Sequence, residues 1–348
     1  MLGGEGWFFP EFLPLTPFRN LMSNPRSLIS NPLRLVFMGT PEFAVPSLQI
    51  LLSGEDSIVG VVTQPDQPAG RGMSVHAPPI KILASAYDIP VFQPAKLRIP
   101  GVIEQLHAWH PDLIVVAAYG KILPTSILAL PPLGCMNVHA SLLPQYRGAG
   151  PIQWVIARGE TETGVTIMRI SERMDSGDIL LQKTIPIAHN DTGGTLHEKL
   201  AQLGAEALTE AMKLLKYGQL VARPQNEAEA TYAPLIKKED GRIDWSQDAL
   251  TIERRIRAFN PWPSAYTTLN GKLLKILVAQ AEETSRFTSA IPGTIIEVTP
   301  ISLSVATGTG SLALVEVQLE GKKRLPIHEF LKGHHLKVGL VLGSEGRG

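Results

Sequence analysis

The sequence predicts an α/β fold with a mostly parallel sheet, followed by a smaller all-β unit, and three observations support this. From residue 34 to about 218, short β-branched runs alternate with helical stretches, the signature of strands and helices in turn. Several of those runs are apolar throughout, as in LIVVAA at 113–118, which suits strands covered on both faces. Beyond residue 233 the strands crowd together between turn residues, as they do in a small barrel. A chain of 348 residues also exceeds the usual single domain. Four segments are therefore expected: an irregular extension over 1–33, an α/β domain over 34–218, a linker over 219–233 and a barrel domain over 234–343.

Taken in order, residues 1–33 scatter Pro10, Pro14, Pro17, Pro25 and Pro32 among serines and aromatics, with no period of 2 or 3.6. Glu5 and Glu11 sit where an organellar leader avoids acids. The residues leave open whether this stretch is a leader, an extension, or lies partly ahead of a start at Met22. Strands are then expected at 34–39, 58–64, 90–93, 112–118, 134–139, 165–170 and 178–182, with helices at 44–53, 80–87 and 102–109. The segment 64–79 is rich in Pro, Gly and polar residues and reads as a functional loop. Thr195, three residues before Glu198, suggests a capping box, after which Leu196, Leu200, Leu203, Leu208, Ala211 and Leu215 keep one apolar face until Gly218. Residues 219–233 lose that period. A helix over 249–260 presents Ile252, Ile256 and Phe259 and stops before Pro261. Asn270-Gly271 then signals a hairpin between 265–269 and 272–278, and further strands are expected at 293–298, 302–306 and 311–319. A barrel of the oligonucleotide-binding (OB) type fits that spacing.

Composition excludes several classes. One cysteine among 348 residues makes no internal disulfide and no cysteine-based zinc site, so a reducing, cytoplasmic setting is expected. No apolar run approaches the roughly 18 to 20 residues of a membrane span. With 32 basic and 32 acidic residues, any nucleic-acid contact must come from local patches.

The strongest chemical signal is GCMNVHASLLPQYRGAGPIQ at 134–153. Asn137 and His139 lie two apart on an expected strand, so both leave the same face, at the carboxyl end where a parallel sheet collects ligands. A hydrogen-bonded core pair is the alternative reading of the same spacing. Asp175, in the turn-forming SERMDSGD, can bend back toward that edge, with Asp178 as its rival; either can also serve only its own turn. An amide donor, an imidazole titrating near neutrality and a carboxylate to orient it suit acyl transfer to an amine, which must shed a proton. No serine nucleophile is required.

These segments, with RLVFMGTPEFAVPSL, VVTQPDQPAGRG, AAYGKILP, ETGVTIMRI, MDSGDIL, ATYAPLIKKEDGRIDW and IRAFNPWP, closely resemble the methionyl-tRNA formyltransferase family. The resemblance covers essentially everything from Arg34 onward. N-x-H-x-S-L-L-P alone indicates the wider folate-dependent formyltransferases; PAGRG, IDW and FNPWP narrow it to the tRNA enzymes. The resemblance implies a Rossmann-like catalytic domain over 34–218 and a tRNA-binding barrel over 234–343. It implies 10-formyltetrahydrofolate as co-substrate, initiator methionyl-tRNA as acceptor, and neither metal nor nicotinamide. Asn137, His139 and Asp175 match the catalytic trio. Ser141, Leu142, Leu143 and Pro144 match the folate-contacting loop, with Ala118, Tyr119 and Gly120 lining the pteridine pocket. Arg71 aligns with the tRNA-facing loop arginine, although Met73 and Ser74 stand where relatives carry lysines. Lys237, Lys238, Arg254 and Arg255 are candidate backbone contacts, as are Lys322, Lys323 and Arg324. A monomer is expected.

Other motifs read plainly. FMGTPEF lacks the spacing of a dinucleotide fingerprint, Cys135 suits a small core position, and the adjacent His334 and His335 suit a surface pair. The rival functions are formyl transfer to a small amine, tRNA binding without catalysis, and, more distantly, nicotinamide oxidoreduction.

Overall fold

The structure, a computed structural model, describes residues 29, 31–69, 74–282 and 290–343. The first domain runs β1 (Arg34–Gly39), α1 (Val45–Leu52), β2 (Ser57–Val62), β3 (Gln67–Ala69), β4 (Ser74–His76), α2 (Pro79–Ala86), β5 (Val91–Phe92), α3 (Pro100–Ala108) and β6 (Leu113–Ala117). It continues with α4 (Thr125–Leu128), β7 (Cys135–His139), α5 (Pro151–Arg158), β8 (Glu162–Arg169), β9 (Ile179–Pro186) and α6 (Gly193–Lys216). The expected strands and helices are all present. The segment expected as a bare loop over 64–79 instead carries the antiparallel pair β3–β4, too short to show a period. Its tip, with Arg71 and Met73, lies outside the described residues.

Seven strands form one sheet in the order β5-β2-β1-β6-β7-β8-β9. The first five are parallel and wind outward in two directions from β1 and β6, the doubly wound arrangement whose crevice lies where the order reverses. β8 and β9 extend it antiparallel. The runs that are apolar throughout have two faces to fill. Leu35, Phe37, Leu113 and Val115 enter a core with α1, α5 and α6, while Val36, Met38, Ile114 and Val116 enter another with α3 and α4. Each such buried side chain contributes about 1.5–3 kcal/mol relative to exposure.

The long helix starts earlier than the sequence suggested. Thr192 is the N-cap: its hydroxyl accepts from the Thr195 amide at 3.2 Å, and Thr195 Oγ1 accepts from the Thr192 amide at 3.0 Å. Glycine is needed at position 193, because a Cβ there would lie 2.3 Å from the Ala258 carbonyl of the second domain.

That second domain comprises α7 (Ala249–Ala258), β10 (Ala265–Leu269), β11 (Lys272–Glu282), β12 (Ile295–Val298), β13 (Leu303–Ala306), β14 (Ser311–Leu319), β15 (Leu325–Pro326) and α8 (Ile327–Gly333). Asn270 and Gly271 take positive φ, 51° and 75°, as a tight hairpin turn requires. The sheet is antiparallel, in the order β10-β11-β14-β13-β12 with β15 beside β14. Among the described residues no ladder joins β10 to β12, so the pairing path is open. Ile252, Ile256, Leu274, Ile276, Val305 and Val317 fill its own core.

The two domains are firmly joined. Ala258 and Phe259 belong to the first domain's core, the Trp154 indole meets Phe259 edge-on at 6.1 Å, and Arg257 Nη1 donates to the Asp191 carbonyl at 2.9 Å.

Candidate active site

The carboxyl ends of β1, β2 and β6 are tied together at the crevice. Thr40 Oγ1 and Gln64 Nε2 both donate to the Tyr119 carbonyl, at 3.2 and 2.9 Å. This pins the turn of Ala118 and Gly120 in the left-handed region, φ 45° and 81°, where a Cβ on Gly120 would meet Gln64 Nε2 at 2.6 Å. Ala118 and Gly120 are exposed; Tyr119 is buried, and burial pushes its hydroxyl up to about 12. The turn offers an open strip of backbone beside the end of β7.

β7 delivers Asn137 and His139 to that place on one face. His139 Nε2 lies 3.1 Å from the Tyr146 carbonyl, and a carbonyl only accepts, so Nε2 carries the proton. In the neutral ring Nδ1 is then the bare nitrogen. It faces Asp175 Oδ2 at 3.8 Å, with the two side chains 7% and 17% exposed. The same Oδ2 accepts from the Gly148 amide at 2.8 Å. Tyr146 and Asp175, on either side of the imidazole, hold φ of 58° and 49°, sparsely populated values that persist only where surroundings fix them. Asn137 is half-buried, and its amide makes no hydrogen bond among the described residues. Asp178 instead faces Arg169, at 3.9 Å.

The loop of Ser141, Leu142, Leu143 and Pro144 follows directly. Ser141 is buried and its hydroxyl donates to the Gln145 carbonyl at 2.6 Å. Thr166 Oγ1 donates to the Ser141 carbonyl at 2.7 Å and accepts from the Leu143 amide at 3.0 Å, while Gln182 Nε2 donates to the Leu143 carbonyl at 2.9 Å. The loop's polar groups are thus largely spent inside the protein, and what it presents outward is the half-buried Leu142 and Pro144. Thr166 and Gln182 give no sequence signal, because their strands place them only once the register is known.

Residues 219–233, expected as a linker, also line the site. Thr231 Oγ1 accepts from the Tyr146 amide at 2.9 Å, and Arg147 exchanges backbone bonds with Thr231 and Ala233. A Cβ at Gly148 would lie 2.5 Å from the Ala233 carbonyl. A truncation after Leu220 would therefore disturb the trio, contrary to the simple expectation of a tether. The one available signal was Arg147, the only charge in the run 134–153.

The basic candidates divide. Lys237 and Lys238 are exposed. Arg254 and Arg255 are half-buried and already employed: the Arg254 guanidinium lies against Gly159 of the first domain, while Arg255 donates to the Asp240 carbonyl at 2.9 Å and lies over Phe259. As candidate tRNA contacts the two arginines are thus less available than the two lysines. Cys135 is buried, which pushes its thiol up to about 12, and His334 stacks on Phe330 at 4.0 Å. Among the described residues no three acidic, histidine or cysteine side chains gather to hold a metal, and no helix is long and apolar enough to cross a membrane.

A doubly wound sheet whose carboxyl edge gathers an amide, an imidazole and a carboxylate is an arrangement suited to a transferase of acyl-level carbon. Family models described as formyl transferase and as formyl transferase C-terminal domain match residues 33–212 and 235–335. The methionyl-tRNA formyltransferase of Citrifermentans bemidjiense is 49% identical over 90% of this chain and 97% of its own, and that of Syntrophus aciditrophicus 51% over 89% and 98%. The chain belongs to the methionyl-tRNA formyltransferase family. Among solved structures, the sugar 3N-formyl transferase WlaRD has TM-score 0.60 at 18% identity, covering 84% of this chain and 100% of that one. HypX from Aquifex aeolicus in complex with tetrahydrofolic acid has 0.58 at 21%, covering 86% and 48%. The methionyl-tRNA formyltransferase from Clostridium thermocellum has 0.51 at 16%, covering 72% and 94%. These three share the fold.

Proposed function

We propose that Asn137, His139 and Asp175 carry out the transfer of a formyl group from 10-formyltetrahydrofolate to the free α-amino group of methionine on initiator tRNA. The activity itself, formyl transfer to methionyl-tRNA ahead of translation initiation, is that of the family. The single observation that supports these residue roles is the orientation of the imidazole, with Nε2 at 3.1 Å from the Tyr146 carbonyl and Nδ1 at 3.8 Å from the Asp175 carboxylate. The donor supplies a formyl carbon on a folate nitrogen. The neutral amine attacks that carbon directly, forming the new C–N bond, and the bond to the folate nitrogen then breaks. Asn137, with its amide uncommitted among the described residues, donates to the developing oxyanion, a contact worth about 2.7–4 kcal/mol in comparable sites. His139 takes the amine's proton at Nδ1 and returns it toward the departing nitrogen. Asp175 stabilises the imidazolium in between.

The exposed backbone of Ala118 and Gly120, with Leu142 and Pro144, suits the flat, polar-edged pterin, Tyr119 acting through its carbonyl-pinned turn. Ser141 and Leu143 shape that wall from inside. Arg71, Lys237 and Lys238 are the phosphate contacts of this reading; Arg254 and Arg255 position the second domain, which binds tRNA as an OB-like barrel curled by the bulges of β11. The division into 34–218, 219–233 and 234–343, the monomeric state and the cytoplasmic setting complete it.

The test is direct. Purified protein is incubated with methionyl-tRNA and formyl-labelled folate, the ester is hydrolysed, and N-formylmethionine is sought. Labelled N-formylmethionine that disappears in His139→Ala, by about 10²–10⁴ in turnover, supports the reading. Near wild-type turnover in that variant would remove the histidine from the scheme, and preferential formylation of an amino-sugar nucleotide would remove the acceptor.

A further inference from the structure

Arg147 is 1% exposed, deep beside the catalytic loop, and a buried guanidinium is tolerated only when its donors are met. It has five N–H groups and no acceptor. Nε and Nη2 donate to Gln225 Oε1 at 3.0 and 2.7 Å, while Nη1 and Nη2 donate to the two oxygens of Glu227 at 3.1 and 3.0 Å. Arg147, with Arg173 at 2.9 Å as a second partner, in turn holds the Glu227 carboxyl below the usual range. Because Arg147 takes its oxygen, Gln225 must turn its amide nitrogen the other way. There Nε2 donates to the carbonyls of Asp175 and Gly177, at 2.8 and 2.6 Å.

We infer that Gln225 is a positioning residue for the transfer, a strut from the interdomain segment that holds the main chain of Asp175 in its left-handed conformation and is itself held by Arg147. This rests on the reading of Asp175 above. Both ends of the aspartate answer to one short stretch of chain: Arg147 governs the backbone through Gln225, and the next amide, of Gly148, holds the carboxylate. The loop also runs close against the end of β8, because a Cβ at Gly177 would lie 1.9 Å from the Arg169 carbonyl. With the strut removed, a φ of 49° at Asp175 has less to sustain it, and the carboxylate drifts from the imidazole.

The test is a double-mutant cycle on the full chain, with formylation of methionyl-tRNA as the assay. Gln225→Ala is expected to lower kcat by about 10- to 100-fold, with KM for methionyl-tRNA changed by less than about twofold. In the Asp175→Asn background the same change is expected to cost less than about twofold, since there is no longer a charge to place. Wild-type kcat in Gln225→Ala, or an equal loss in both backgrounds, would overturn the strut. Arg147→Lys, which keeps the charge toward Glu227 but lacks the planar fork, gives the same cycle if Gln225→Ala does not fold. Asp175→Asn with undiminished turnover would be a different failure, one of the aspartate's role and with it the strut.

Discussion

Asparagine at position 175 separates charge from shape. Oδ2 of Asp175 both accepts the Gly148 amide and faces His139, and only an oxygen can accept, so the asparagine oxygen must remain at that position. The side chain stays anchored while its charge is lost. At 3.8 Å, a carboxylate and an imidazolium attract by about 4 kcal/mol at an effective dielectric of 20. Asp175 is 17% exposed, and solvent trims that figure. In the proposed scheme the imidazolium forms as the amine proton is taken, so the loss belongs to turnover: kcat should fall by about 10²- to 10³-fold with KM for both substrates unchanged. Single-turnover formylation at saturating methionyl-tRNA, with thermal unfolding as a control for folding, measures this. A folded variant within about tenfold of wild type, or a loss confined to KM, would refute the electrostatic role.

Asn137→Ala should cost about 10²–10³ in kcat while tRNA retention on filters is unaltered, since in the proposed scheme the amide serves the developing oxyanion. Burial by itself raises the Asp191 carboxyl, but the Lys199 ammonium at 2.7 Å, the Ala188 amide and the Thr195 hydroxyl outweigh it and hold the carboxyl below its usual range. Its stabilising effect is therefore complete above the unfolded carboxylate value of about 3.9 and is lost as pH falls through the lower folded value. Asp191→Asn should accordingly lower the urea midpoint at pH 7, with the gap to wild type closing in acid. Lys237→Ala with Lys238→Ala should flatten the salt dependence of tRNA binding by about one to two in slope, whereas Arg254→Ala should lower the unfolding temperature and leave that slope alone.

What the sequence disclosed followed from how far the physical cause extends along the chain. A strand buried on both faces must be apolar at successive positions, so β1 and β6 were visible at once. Their pairing order was not, because nothing local distinguishes the parallel β7 from the antiparallel β8. Asn137 and His139 share a face by their spacing alone. Asp175 and Asp178 both sit in the same turn-forming segment, and partners distant in sequence decide between them, with the Gly148 amide on the carboxylate of the first and Arg169 beside the second. Thr192 gives less sign of a cap than Thr195 because the two glycines after it look unlike a helix, and the Ala258 carbonyl that requires the first of them comes from far along the chain. Gln225 lies 50 residues from the carbonyl it supports, in a stretch with no period, and no short-range pattern points to it.

Exchange of the second domain between relatives would ask which half of the chain recognises what. Here the seam runs beside the proposed catalytic residues, where Thr231 and Ala233 bond to Tyr146 and Arg147. A graft joined anywhere in 225–233 would import foreign partners for Arg147, Gly148 and Tyr146, and its kinetics would report a disturbed aspartate rather than a new preference for tRNA. Chimeras of this enzyme are interpretable only when the recipient keeps that stretch and takes the donor sequence from beyond Pro234, whose carbonyl receives the Trp154 indole N–H at 2.9 Å.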